Sequence, residues 1–303
     1  MERRSFLAGA AATAAAAGAA GLPKRKYRDG VNLSIIGFGG IVVVGMEQSE
    51  ANREVARSVD RGVNYFDVAP SYGKGEAEQK LGPALKPYRG NVFLACKTQR
   101  RDAAGARQEL EQSLSRLQTD HFDLYQFHAV SSMDDVERIL GPGGAAELFV
   151  KARQEGKVRY LGFSAHSAEA ALALMDRMEL DSVLFPVNYI LYAEGNFGPQ
   201  ILAKAKEKGM ARLALKALAE TRWPKGAPRT HKKTWYRPIS DPDRARQALR
   251  FTLSEDITAA SPPGDEGVYR MALDLAAGFQ PLNKAERAAL LASAKGIEPI
   301  FRA

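Results

Sequence analysis

From Leu33 onward the sequence repeats one pattern, a short apolar run followed by an amphipathic stretch. The runs are Leu33–Phe38, Val63–Phe66, Val92–Cys96, Phe122–Phe127, Arg159–Phe163, Ser182–Val187, Ala211–Leu215 and Ile257–Ala260. The stretches that follow them are Ser49–Arg61, Glu76–Leu85, Ala104–Leu117, Met133–Gln154 (interrupted at Gly141–Gly144), Ala168–Met178, Pro199–Lys208, Pro242–Leu253 and Gly267–Ala277. Short apolar strands separated by helices are the mark of parallel βα units buried on both faces. About eight such units in a 303-residue chain predict an α/β fold, a (β/α)8 TIM barrel. Asp29-Gly30 predicts the turn of an N-terminal β-hairpin, and Lys284–Ala294 predicts an extra C-terminal helix. No Pro/Gly/Ser-rich linker divides residues 23–303, which read as one barrel domain.

Residues 1–22 read as a separate segment. Arg3-Arg4, then Ser5-Phe6-Leu7, then an alanine-rich run to Ala20, follow the order of a twin-arginine export signal. The run is too alanine-rich for a membrane span, which takes about 20 strongly apolar residues. Ala17–Ala20 offer an A-x-A-like cleavage site. The expectation is a partner in the twin-arginine (Tat) machinery, a periplasmic or extracytoplasmic location, and a mature chain without stable membrane insertion. The single cysteine, Cys96, excludes an internal disulfide and a cysteine-built zinc or iron–sulfur site within one chain. The four histidines have no metal-ligand spacing, so no metal is expected. A net charge of +8 suits anionic ligands, but no nucleic-acid-binding motif accompanies it.

In a (β/α)8 barrel the C-terminal ends of the strands share one mouth. Asp67 ends the second predicted strand, Lys97 follows the third, His128 the fourth, and Tyr72 lies in the loop after the second. Singly, each has an ordinary explanation: a turn former, a rim lysine, a core histidine, a rim aromatic. Together they make a proton-transfer device. A tyrosine has an unperturbed pKa near 10, and a buried ammonium beside it favours the phenolate. An aspartate keeps that lysine charged, and a neutral histidine orients a carbonyl oxygen next to the hydroxyl. The set has no hydride source, so a nicotinamide must supply one. The expected substrate is a small carbonyl compound or alcohol.

The stretch Gly62–Gly82 (GVNYFDVAPSYGKGEAEQKLG) resembles the aldo-keto reductase family, as do LACKTQ around Lys97 and SLSRLQTDHFDLYQFH running into His128. GKVRYLGFSAHS and FPVNY extend the resemblance over nearly all of residues 30–303. It implies a catalytic tetrad of Asp67, Tyr72, Lys97 and His128, with NADP(H) extended across the barrel mouth. The cofactor residues it implies are Gly39 and Gly40, Ser164 on the nicotinamide carboxamide, His166 near the usual asparagine, and Asn188 after the sixth strand. Lys216 and Leu218 stand where the family has a small residue and a leucine. Backbone amides at Gly264 are expected to hold phosphate at a helix start, and Arg270 is the candidate partner for a 2′-phosphate. Asp265 and Glu266 would repel that phosphate, which weakens the preference for NADP(H) over NAD(H).

The loop Thr221–Arg237 (TRWPKGAPRTHKKTWYR) carries both tryptophans of the chain and six Lys/Arg, and it must emerge at the same mouth. It is expected to clamp the cofactor's phosphates or to stack on a sugar-like substrate. A Rossmann dehydrogenase is the first competing reading, from GFGG at 37–40. Its third glycine position holds Val42, and it leaves Tyr72, Lys97 and His128 unused. The second is a nucleotide-binding sensor or accessory barrel with little turnover, which the intact tetrad opposes.

Overall fold

The computed structural model describes residues 21–28 and 30–303. The export-signal expectation falls on residues 1–20, outside that range, as does Asp29 of the predicted turn. Leu22 belongs to the barrel and not to the preceding segment, because its side chain is buried and its N–H donates to Arg61 O at 3.1 Å.

A hairpin comes first, β1 (Lys24–Arg28) paired antiparallel with β2 (Val31–Ser34). The barrel follows as β3 (Phe38–Gly39), α1 (Gln48–Asp60), β4 (Tyr65–Asp67), α2 (Glu76–Leu85), β5 (Phe93–Thr98) and α3 (Ala103–Leu117). Next come β6 (Phe122–Val130), α4 (Met133–Leu140), α5 (Ala145–Gln154), β7 (Val158–Ala165), α6 (Ala168–Arg177) and β8 (Ser182–Pro186). The chain continues through α7 (Tyr189–Glu194), α8 (Pro199–Glu207), β9 (Ala211–Leu215), β10 (Ala219–Arg222) and β11 (Tyr236–Pro238). It ends with α9 (Pro242–Ser254), β12 (Ala259–Ser261), α10 (Glu266–Ala277) and α11 (Lys284–Ser293).

Eight parallel strands pair in the order β12-β9-β8-β7-β6-β5-β4-β3. The Ile36–Ala260 bridge closes the ring, with Gly37 N donating to Ala260 O at 2.9 Å and Ala260 N to Ile35 O at 2.8 Å. The predicted first strand, Leu33–Phe38, is therefore two pieces: Leu33 belongs to the hairpin, and only Phe38–Gly39 pairs with β4. The predicted long helix over 133–154 is likewise two, α4 and α5, because Gly143 takes a left-handed φ of 70° between them. The extra C-terminal helix is α11.

Side chains alternate across each strand. Phe66, Leu94, Cys96, Tyr125 and Phe127 point outward into the layer shared with the helices. Tyr65, Phe93, Ala95, Leu124, Leu184, Leu213 and Ala259 fill the barrel interior, where Tyr27 and Leu33 of the hairpin join them. One further inward step along β4, β5 and β6 reaches Asp67, Lys97 and Gln126. The apolar plug thus ends where the polar site begins.

Candidate active site

β4 delivers Asp67 as its last residue and β5 delivers Lys97 as its penultimate one. Both are out of water, at 5% and 1% side-chain exposure. Lys97 uses all three of its donors: it is ion-paired to Asp67 Oδ1 and donates to Val68 O at 3.2 Å and to the Tyr72 hydroxyl at 3.1 Å. The second carboxylate oxygen of Asp67 accepts from Tyr65 OH at 3.2 Å and from Gln126 Nε2 at 3.1 Å. Burying two charges is tolerable only when their remaining valences are met in this way.

Tyr72 reaches the cavity from the β4–α2 loop. That loop turns through three consecutive left-handed residues, Gly73 (φ 60°), Lys74 (φ 56°) and Gly75 (φ 97°). The left-handed φ at Gly75 favours glycine there, and a Cβ would also push the Arg116 guanidinium aside, 2.6 Å away. The His128 ring stands 5.7 Å from the Tyr72 ring at 83°. Its Nδ1 is buried and makes no hydrogen bond to the protein. The next residue, Ala129, is left-handed (φ 55°); its N–H donates to Ser164 Oγ at 2.8 Å. Arg101 holds the same bend by donating to His128 O at 2.9 Å and Ala129 O at 3.3 Å while its Nε bonds Asp135 at 2.7 Å. Non-glycine residues in this region cost about 1–3 kcal/mol each and gather at functional sites.

Burial would lower the Lys97 ammonium, but Asp67 and Tyr72 more than reverse this and hold it above its usual value. Burial, with Lys97 and His166 adding repulsion, keeps His128 well below the usual imidazole range, hence neutral. The expectation for Tyr72 is corrected. Burial raises its phenol more than Lys97 lowers it, and the Asp67 charge adds to the rise.

A cavity of about 210 Å³ opens over these groups. Ser164, His166, Lys216 and Gly264 line it with Tyr72, Lys97 and His128, as do Trp235 and Tyr236. The other expected cofactor residues do not. Gly40 is a packing residue, since a Cβ there would lie 2.8 Å from Val68 Cγ2. Gly39 beside it closes β3. Asn188 caps α7 and donates to Lys216 O at 2.9 Å. Leu218 is buried in the outer core. Arg270 is not free for a phosphate, because its Nη2 donates to the buried Glu54 at 2.6 Å. Further along the start of α10, Asp265 Oδ1 accepts from Gly267 N and Val268 N at 3.1 Å.

The loop after β9 is a strap over the mouth. β10 and β11 pair as its antiparallel base. Lys233 donates to Val42 O at 2.8 Å and pairs with Glu266 at 3.0 Å, while His231 Nδ1 lies 3.1 Å from Asp265. Trp235 packs edge-on to Phe301 at 5.8 Å, and Phe301 stacks on His166 at 4.9 Å. Sequence reasoning missed Tyr65, Gln126, Arg101 and Phe301. The first two stand two residues before Asp67 and His128, so counting back along the inward face finds them. Among the described residues no group of metal ligands forms, and no helix is long and apolar enough to cross a membrane.

The family model described as the Aldo/keto reductase family matches residues 35–247. The chain is 34% identical over 151 residues to the aldo-keto reductase YhdN of Bacillus subtilis (strain 168), covering 46% of this chain and 44% of that one. It is 27% identical over 206 residues to L-galactose dehydrogenase of Arabidopsis thaliana, with 63% of each chain covered. The chain thus spans roughly half the length of the curated relatives it matches. Among solved structures, the holo aldo-keto reductase AKR11C1 from Bacillus halodurans superposes with a TM-score of 0.71 at 23% identity, covering 92% of this chain and 98% of the other. The Bombyx mori aldo-keto reductase AKR2E4, solved with NADP, superposes at 0.66 and 20% identity, covering 90% and 93%.

Proposed function

The chain belongs to the aldo/keto reductase family, and on that premise we propose that it is a nicotinamide-dependent oxidoreductase that reduces a small aldehyde or ketone to an alcohol. The observation that carries the reading is the line Asp67–Lys97–Tyr72 facing a neutral His128 across one cavity. Tyr72 gives its proton to the carbonyl oxygen, and His128 orients that oxygen toward the hydroxyl. Lys97, kept charged by Asp67, stabilises the phenolate left behind; burial makes the phenol a weak acid until charge develops, so this support counts most in the transition state. In the reverse direction the same phenolate accepts the proton.

The donor set fits a dinucleotide. No carboxylate lines the cavity, Lys216 and Lys233 face it, and His128 Nδ1 awaits a partner. Ser164, His166, Lys233 and Gly264 would hold the group, which supplies the hydride when bound. At about 210 Å³ the cavity falls below the roughly 300–1,000 Å³ of ordinary ligand pockets, so the strap must yield to admit a whole dinucleotide. NADP(H) is the proposed cofactor, and the carboxylates of Asp265 and Glu266 weaken its preference over NAD(H). Fluorescence titration with both nucleotides decides between them.

Replacing Tyr72 with Phe should lower turnover about a hundred- to ten-thousand-fold with an unchanged circular dichroism spectrum. Near-full activity on a carbonyl panel would sink the mechanism. The export proposal rests on Arg3-Arg4 and the apolar run after them. Changing both arginines to lysine should keep a reporter fusion in the cytoplasm, and continued export through the twin-arginine route would refute it.

A further inference from the structure

Lys216 is the one cavity lysine that forms no ion pair among the described residues. Lys97 is neutralised by Asp67 and Lys233 by Glu266. The Lys216 ammonium instead lies over two rings, 5.4 Å from the centre of Trp235 and 4.8 Å from that of Tyr236. Its backbone is left-handed (φ 66°), a strained conformation for a lysine that fixes where the side chain leaves the end of β9. The carbonyl of this same residue is tied down by Asn188. The cation is also near the chemistry, since Lys216 lines one cavity with Tyr72, Lys97, His128 and His166. Lys233, by contrast, sits at the start of α10.

A half-buried ammonium with no anion beside it is poorly compensated until a ligand brings the anion. We propose that Lys216 selects carbonyl substrates bearing a carboxylate, holding that group while the carbonyl rests between Tyr72 and His128. The claim deepens the carbonyl-reductase reading and rests on it. The dinucleotide's own phosphates are the other source of an anion, and the experiment separates the two.

Butyrate and its neutral twin butyramide are titrated calorimetrically into the full chain and into Lys216→Met. Butyrate should bind the wild type and weaken about 10- to 100-fold in the variant, the range for a charged hydrogen bond, while butyramide binds both alike. Equal butyrate affinity in the two proteins, or no butyrate binding to the wild type, overturns the proposal. So does a variant that loses NADPH affinity while keeping butyrate, which would assign Lys216 to the cofactor. Lys216→Arg keeps the charge and must keep butyrate binding, a requirement that stands even should Lys216→Met not fold. In turnover, succinic semialdehyde should exceed butanal in kcat/KM at least tenfold, and Lys216→Met should erase the difference. Turnover of neither aldehyde, with butyrate binding still dependent on Lys216, would refute the reductase reading and leave the anion site standing. Equal turnover of both by the wild type would do the reverse.

Discussion

Two walls of one mouth treat a lysine in opposite ways. On the β4–β6 wall, Lys97 projects from within a strand, and Asp67, Val68 and Tyr72 take all its protons. Its charge is held firmly, and the neighbours that hold it are themselves tied by Tyr65 and Gln126. On the β9–β12 wall, Lys216 follows the strand end and has only aromatic faces. Burial first, then repulsion from Lys97, brings its pKa down to about 8. The first wall is complete without a ligand; the second is a positive charge in search of one. The proton chemistry is therefore pre-organised, and recognition is left to what binds.

The contrast breaks most sharply if Lys97 is removed. Lys97→Met should abolish measurable turnover and destabilise the fold by about 3–5 kcal/mol, because Asp67 is stranded in a dry site. Urea denaturation measures the loss. Adding Asp67→Asn should recover part of that stability and none of the activity. Arg101→Met comes next. The His128–Ala129 bend loses its clamp, so kcat should fall about 10- to 100-fold with KM little changed. Arg101→Lys should restore part of the loss, and an unaltered kcat in Arg101→Met would make the clamp merely structural.

Lys216→Met should behave differently from Lys97→Met, leaving stability near neutral pH equal or higher. The folded-state pKa of about 8 lies below the value near 10.4 of an unfolded lysine. Between those values the unfolded chain binds the proton and the native one does not. Wild-type stability must therefore gain as pH rises from about 8 to about 10, and the variant must lack that gain. Chemical melts of the two proteins across that window test it. The groups facing Lys216 do not share this window: His128 and His166 are held below the imidazole range, Tyr72 and Tyr236 above the phenol range, and Lys97 above the ammonium range. The smallest effect belongs to the strap. Lys233→Ala removes a half-exposed ion pair worth up to about 1 kcal/mol, so nucleotide release should quicken only a few-fold in stopped-flow fluorescence.

The same contrast separates what the sequence made legible from what it did not. The βα repeats were readable because strands buried on both faces are apolar throughout. Asp67, Lys97 and His128 were readable because a charged or polar residue ending an apolar run is conspicuous, and Tyr72 because it follows Asp67 in the same strand-end loop. Tyr65 and Gln126 were hidden inside runs whose inward and outward faces look alike, as in FDLYQFH. The pairing of Arg270 with Glu54 was hidden because the two lie 216 positions apart on different helices. The capping role of Asn188 was hidden because a helix cap and a cofactor ligand are the same residue type in the same place after a strand. The packing role of Gly40 depends on Val68 and Leu81, which only the closed barrel brings against it.

The hairpin under the barrel carries a consequence for the order of assembly. Tyr27 OH bonds Ser182 Oγ at 3.1 Å, and Arg25 reaches Leu253 O at 2.6 Å and Ile257 O at 2.9 Å. These contacts join residues 155, 228 and 232 positions apart. Closing such long loops is slow, so although Ser34 and Tyr27 can meet Asn64 and Phe93 early, the hairpin docks fully only once β8, α9 and β12 exist. Docking of residues 24–34 thus reports that the barrel has been completed.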